Sequence, residues 1–152
     1  MRRIFIVVVA ATLLAALAAP AGATPPSDVG IEVETSLLGA PSPFVASGPA
    51  VDDGLICEEG TVVDASVKWT GFSKNGFNFK GIKAFTCDDD SGQFFINMRA
   101  RIDYRKGTTF NWNVRSGTGA YEDLHGAGRG VGLLICGPDC VFDVYDGGLH
   151  ID

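Results

Sequence analysis

The stretch that decides the fold class reads Gln93-Phe94-Phe95-Ile96-Asn97-Met98-Arg99-Ala100-Arg101-Ile102-Asp103-Tyr104. Apolar and polar residues alternate along it, with Phe95 as the exception. Successive side chains of a β-strand point to opposite faces of the sheet, so this pattern predicts a strand with one buried face and one wet face. Strands of this kind are typical of antiparallel sheets.

The same alternation recurs along the chain. It appears at residues 63–69, 77–87, 110–114, 131–135 and 142–144, with weaker candidates at 30–38 and 44–51. In the first of these segments, Val63, Ala65, Val67 and Trp69 are expected on one face. Short turns rich in Gly, Asp and Asn separate the segments, which favours hairpins. Eight sequential strands predict an all-β domain, an eight-stranded antiparallel barrel, because closure removes exposed sheet edges. A β-sandwich is the alternative.

The N-terminus has the pattern of an export signal. Arg2 and Arg3 precede an apolar run from residue 4 to residue 19, and Ala21-Gly22-Ala23 supplies small residues for cleavage. A membrane anchor is the alternative, but a spanning helix needs roughly 20 apolar residues. We therefore predict a signal peptide over 1–23, a disordered lead-in over 24–28 and a single barrel domain over 29–152. The mature protein is expected to be secreted, either extracellular or periplasmic, with no membrane association after cleavage.

The charge of the chain is acidic. Its 152 residues include 12 Lys and Arg and 18 Asp and Glu, for a formal net charge of −6. Loss of Arg2 and Arg3 with the leader makes the mature chain more acidic still. This balance argues against nucleic acid as a partner and against anionic membrane surfaces.

Four cysteines follow the leader: Cys57, Cys87, Cys136 and Cys140. An even count in an exported chain indicates disulfides, and three pairings are possible. The turn Gly137-Pro138-Asp139 favours a Cys136–Cys140 bridge, which leaves Cys57 for Cys87. A four-cysteine zinc site is the alternative, but zinc ligands come in paired short spacings and only one close pair exists. We predict no metal and no cofactor.

One glycine-rich connection interrupts the alternation. It reads Ser116-Gly117-Thr118-Gly119-Ala120-Tyr121-Glu122-Asp123-Leu124-His125-Gly126-Ala127-Gly128. Tyr121 and Leu124 are three residues apart, a spacing that suits one helical turn. We expect both side chains to point inward and close one end of the barrel.

This connection resembles the G-[ST]-G-x-[YF]-x-x-L-x-G-x-G motif of secreted bacterial proteins with an allene oxide cyclase barrel-like fold, a superfamily shared with dirigent proteins. Phe110-Asn111-Trp112-Asn113-Val114 before it and the glycine-rich strand after it are similar too, as is Phe85-Thr86-Cys87-Asp88 following a paired Cys57. The resemblance covers roughly residue 57 to the C-terminus. It implies an eight-stranded barrel with a central cavity, and it assigns no catalytic residue to this chain.

Candidate catalytic groups are few. We interpret His125 as a solvated loop residue and His150 as a tail residue, and Ser116 lacks the flanking glycines of a nucleophile elbow. Aromatic residues are the candidate lining of an apolar ligand cavity: Trp69, Phe77, Phe79, Phe94, Phe110, Trp112 and Tyr121. Core packing is the alternative for these side chains, because a barrel of eight strands is just wide enough to be filled by them.

Two functions are compatible with these patterns. The first is a non-enzymatic secreted barrel that binds a small apolar ligand or a protein partner. The second is an allene oxide cyclase-like cyclase or isomerase that acts on a small apolar substrate, as the resemblance implies. An enzyme needs an ionisable group aimed into an open cavity. Because the alternation places few polar side chains inside the barrel, we favour the first.

Overall fold

The chain forms a closed antiparallel barrel of eight strands in sequence order. A computed structural model describes residues 25–136 and 139–152. The elements are β1 (Ser27–Ser36), β2 (Ser42–Ser47), α1 (Pro49–Asp52), β3 (Glu59–Ser73), β4 (Gly76–Cys87), β5 (Gly92–Asp103), β6 (Gly107–Gly119), β7 (Leu124–Leu133) and β8 (Cys140–Ile151). Each strand pairs with the next, and β8 closes the barrel on β1. The predicted eight-stranded barrel is confirmed, and the sandwich alternative is wrong.

The first strand begins earlier than the sequence suggests. Ser27 and Asp28 belong to β1 and pair with Leu149 and Gly148 of β8, so the predicted disordered lead-in over 24–28 is wrong for these two residues. The predicted signal peptide and its cleavage site lie outside the described residues. Among those residues, no helix is both long enough and apolar enough to cross a membrane.

The up-and-down order gives the barrel two distinct ends. One end, here called the helix end, carries α1, the β4–β5 turn and the β6–β7 turn. The other end carries the β1–β2, β3–β4, β5–β6 and β7–β8 connections, and is called the aromatic end after the residues described below. The two ends therefore expose different connecting segments to solvent.

Aromatic rings fill the interior. Phe85 stacks on Phe94 with ring centroids 4.9 Å apart, and Tyr145 packs 4.7 Å from Phe110. These rings fit because β7 presents glycines to the interior. A Cβ atom at Gly130 would lie 2.2 Å from the ring of Phe110. The glycines of β7 thus leave the space that the aromatic rings of neighbouring strands occupy inside the barrel.

Two disulfides join Cys57 to Cys87 and Cys136 to Cys140, with Cα–Cα distances of 5.9 and 5.5 Å. The predicted pairing is confirmed. The first bridge ties the segment after α1 to the end of β4 at the helix end. Disulfides persist in oxidising compartments, so both bridges are consistent with a location outside the cytoplasm.

The β6–β7 connection packs into the helix end. Tyr121 and Leu124 are only 3% and 2% exposed, as their three-residue spacing predicts. The Tyr121 hydroxyl lies 2.6 Å from Ser91 Oγ and 3.1 Å from Cys87 Sγ, and its ring packs edge-on against Phe94. The hydroxyl is therefore paired although it is buried, and the ring covers one side of the core.

The β3–β4 hairpin extends beyond the barrel wall. β2 pairs with β3 only over residues 59–62, so the rest of β3 pairs with β4 alone. Residues 63–70 are consequently all exposed. The ladder shifts register between Asp64 and Ser66, which moves later side chains to the opposite face. The prediction that Val63 and Trp69 share a face is therefore wrong.

Candidate functional site

Five aromatic side chains form a patch at the aromatic end: Trp69, Phe72, Phe77, Phe79 and Tyr104. Trp69 is its centre, with ring centroids 5.0 Å from Phe77 and 5.7 Å from Phe79. Trp69, Phe72 and Tyr104 are 54%, 77% and 65% exposed. These large apolar rings therefore pack on one another while keeping most of their surface in water.

Strand pairing explains how this aromatic patch is assembled. Trp69 lies directly opposite Phe79, and Phe72 lies opposite Phe77. Directly opposed residues of an antiparallel pair share a face, and Phe79 in turn lies opposite Ala100, which is buried. Phe79 packs against the core. The aromatic patch thus lies on the same face as the barrel interior, but on the part of the β3–β4 hairpin that extends beyond the barrel. No strand of the described chain packs over the patch there, so its rings stay exposed.

The seven aromatic residues predicted to line one cavity fall into two groups. Trp69, Phe77 and Phe79 belong to the aromatic patch, whereas Phe94, Phe110, Trp112 and Tyr121 are buried core residues. The four buried residues therefore pack in the core, which was the alternative to a cavity lining. The sequence missed Phe72, because a second register shift between Trp69 and Gly71 brings it onto this face.

A polar cluster lies on the inner face of the barrel. The Lys83 ammonium is 3.0 Å from Asp64 Oδ1 and 3.9 Å from Asp143 Oδ2. Lys83 also donates to Thr35 Oγ1 at 3.3 Å, and the Thr35 hydroxyl donates to Asp143 Oδ2 at 2.7 Å. Lys83 and Asp143 are only 3% and 4% exposed. The expectation of few polar side chains inside the barrel is therefore wrong for this layer.

The acidity of this polar cluster follows from its burial. Loss of hydration raises the pKa of the Asp143 carboxyl above its usual value, while the positive charge of Lys83 and the hydrogen bond from Thr35 oppose that rise. Burial also raises the pKa of Tyr145 well above its ordinary value, and the Asp143 charge adds to the effect. Tyr145 thus stays neutral, and its hydroxyl faces Met98 Sδ at 3.6 Å. Within this cluster Lys83 pairs most closely with Asp64, while Asp143 accepts a hydrogen bond from Thr35 and lies within 4 Å of Lys83.

The two histidines are strand residues and not the loop and tail residues we expected. His125 of β7 lies directly opposite His150 of β8, and their rings stack with centroids 5.6 Å apart. Both Nε2 atoms face Asp152, at 3.2 and 3.6 Å. His125 is nevertheless about half exposed, so the group lies at the rim of the helix end and not in a pocket.

A groove lies on the outer face of the barrel. This outer groove has a volume of about 690 Å³ and extends from β3 to β8. Its charged lining residues are Lys80, Arg99, Arg101, Arg129 and Asp146. Its charged groups are therefore mostly basic, although carbon atoms supply most of its lining surface.

The connection at residues 116–128 carries the main motif of the family resemblance, which covers roughly residue 57 to the C-terminus. No family model, curated protein or solved structure matches the chain. Membership of the allene oxide cyclase barrel-like superfamily thus stays a prediction. What the protein does has to be argued from the aromatic patch, the polar cluster and the outer groove.

Proposed function

We propose that the protein is a secreted binding protein that takes a small apolar molecule on the aromatic patch. The observation that carries this proposal is the set of three rings that are more than half exposed around Trp69. The largest contiguous apolar patch on a soluble monomer is typically about 300–600 Å², and such a patch is often a functional site. Trp and Tyr are also the side chains that most often carry binding energy.

The size of the aromatic patch favours a small ligand. Aromatic side chains each bury roughly 150–250 Å² when covered, so three rings at these exposures present on the order of 400 Å². A stable protein interface buries about 800 Å² on each partner. A protein partner would have to cover further surface, such as the exposed Leu134 and Ile135 in the β7–β8 connection at the same end.

Binding is favoured over catalysis because of where the ionisable groups lie. A cyclase or isomerase needs such a group facing its substrate. Lys83 and Asp143 are inward-facing, but they are buried against each other and neither lines the outer groove. The one ionisable group of the aromatic patch is the phenolic hydroxyl of Tyr104, whose side chain is exposed to solvent and not enclosed with a substrate.

Titration with the neutral fluorescent probe N-phenyl-1-naphthylamine tests this proposal. Probe fluorescence should rise and saturate, because the rings of the aromatic patch exclude water from the bound probe. Trp69→Ala should weaken binding on the order of tenfold, equivalent to about 1.4 kcal/mol. Quenching by acrylamide gives a second readout: the exposed Trp69 should become protected, whereas Trp112 is buried throughout.

Val45→Ala is the matched control, because Val45 is an exposed apolar side chain on β2, away from the aromatic patch. Its affinity for the probe should equal that of the parent protein. Equal loss in both variants, or unchanged binding in Trp69→Ala, would show that the probe does not occupy the aromatic patch.

We also propose that the chain is exported and cleaved after Ala23. The support is the order of basic, apolar and small residues at the N-terminus, together with two disulfides in the described residues. N-terminal sequencing of protein recovered outside the cytoplasm should begin at Thr24. An intact Met1, or protein that stays with the membrane fraction, would refute this prediction.

A further inference from the structure

Charge is divided unevenly along the chain. All Lys and Arg residues after Arg3 lie between Lys68 and Arg129, whereas residues 24–67 contain eight Asp and Glu and no Lys or Arg. Acidic residues between Lys68 and Arg129 lie mainly in the turns at the two barrel ends. Although the chain is acidic as a whole, the outer face of β3 to β7 therefore carries a basic region.

The basic side chains of this region are aligned across the strands. Lys68, Lys80, Arg99, Asn111 and Arg129 are direct cross-strand neighbours in five consecutive strands, and all are exposed. Neighbouring strands are about 4.8 Å apart, so this basic row spans roughly 19 Å. The row is therefore long enough to contact several units of an extended polymer.

A second row runs parallel to the basic row, two residues along each strand. It consists of Asn78, Arg101, Thr109, Val131 and Val144. Between the two rows lie inward-facing residues such as Ala100 and Gly130, whose backbone forms the floor of the outer groove. The groove thus has most of its cations on one wall, while the other wall combines Arg101 with amide, hydroxyl and aliphatic groups.

Most cations of the basic row have no acidic neighbour across the strands; the exception is Arg129, which lies directly opposite Asp146. Lys68 lies opposite Lys80, and Lys80 lies opposite Arg99. Like charges directly opposed across strands destabilise a sheet. Among the described residues, every ion pair within 4 Å involves Lys83, His125 or His150 and none involves this row. A bound anion would remove the repulsion that the free protein carries.

We propose that the outer groove binds an acidic glycan, a chain of carboxylate-bearing sugars. Arginine matches a carboxylate with two parallel hydrogen bonds, and Arg99, Arg101 and Arg129 supply this fork along the channel. Asn78, Thr109 and Asn111 can pair with sugar hydroxyls, while Val131 and Val144 contact the apolar faces of sugar rings. The aromatic patch continues the inner face of the barrel, whereas this site lies on the outer face, and Phe79 is the one residue that borders both. The glycan proposal does not depend on the function proposed for the patch.

The lining favours a glycan over single-stranded nucleic acid. Proteins that bind single strands stack the bases on exposed aromatic rings. The aromatic residues that line the outer groove are Phe79 and Phe110. Phe110 is buried in the core, and Phe79 lies on the inner face and packs against the core. Among the described lining residues, the groove therefore offers mainly charge and hydrogen bonds, and no aromatic ring stands out from its outward-facing rows.

Isothermal titration with oligogalacturonate tests the proposal on the full mature chain. Arg99→Gln/Arg129→Gln should weaken binding on the order of tenfold or more, because two carboxylate contacts are lost. Lys74→Gln/Lys106→Gln is the matched control: it removes the same charge from the turns of the aromatic end, and its affinity should stay within about twofold of the parent. Affinity of the parent should fall between about 50 and 200 mM salt. Circular dichroism establishes that both variants are folded.

Three outcomes would overturn the assignment. Equal losses in the two double variants would mean that only net charge matters. Equal binding of neutral dextran would remove the role of the arginines. Tighter binding of polyphosphate or of an oligonucleotide than of oligogalacturonate would make phosphate, and not a carboxylated sugar, the group that the groove recognises.

Discussion

Replacing Lys83 with Met should lower the free energy of unfolding by about 3–5 kcal/mol at neutral pH. Lys83 is the only described cation within 4 Å of the Asp143 carboxylate, which is itself buried. Met keeps most of the aliphatic length of Lys but offers no charge. The variant would therefore bury Asp143 with only the Thr35 hydroxyl as a partner, and the nearby Asp64 carboxylate would add repulsion.

The Lys83→Met penalty should depend on pH in a defined direction. Burial raises the pKa of Asp143 above its usual value, and removal of Lys83 takes away the main influence that lowers it. Between the unfolded-state pKa of about 3.9 and the raised folded-state pKa, the folded protein binds more protons than the unfolded chain. Stability therefore rises as the pH falls through that window. The penalty should shrink from pH 7 toward about pH 4.

Urea unfolding of three variants at both pH values separates this account from a general packing defect. Lys83→Met/Asp143→Asn removes both buried charges and should regain much of the lost stability. Lys74→Met is the surface control and should change stability by no more than about 0.5 kcal/mol. A Lys83→Met penalty that is the same at both pH values would mean that lost packing, and not an unpaired carboxylate, is responsible.

Local patterns were sufficient to predict the architecture. The alternation over residues 93–104 identifies β5 almost to its ends, and the turn between Cys136 and Cys140 identifies their bridge. Both features depend on residues that are close in sequence. Period-two alternation and turn chemistry act locally, so they can be recognised without knowing which strands pair.

The sites could not be predicted in the same way, because each depends on register between strands. One extra residue between Asp64 and Ser66 turns Trp69 toward the face of Phe79, and no residue in that segment marks the shift. Lys83 and Lys80 look alike in the sequence, yet one is buried beside Asp143 and the other lies on the outer face. The pairing of His125 with His150 likewise follows only from the β7–β8 ladder.

Leu124→Ala should destabilise the protein by about 2–5 kcal/mol, the range for truncating a large buried side chain. Leu124 is 2% exposed and belongs to the core at the helix end. It begins β7, and its amide donates to the Tyr121 carbonyl, so the backbone there is held and cannot easily collapse into the space left by Ala. Tyr121 would keep its hydrogen bond to Ser91 but would lose a packing neighbour on the same connection.

Leu134→Ala is the matched control, since Leu134 is 71% exposed and the same truncation there should cost less than about 0.5 kcal/mol. Chemical denaturation of the two variants measures the difference. If both variants unfold at the midpoint of the parent, the connection does not contribute to the core, and the helix end is not closed by Tyr121 and Leu124.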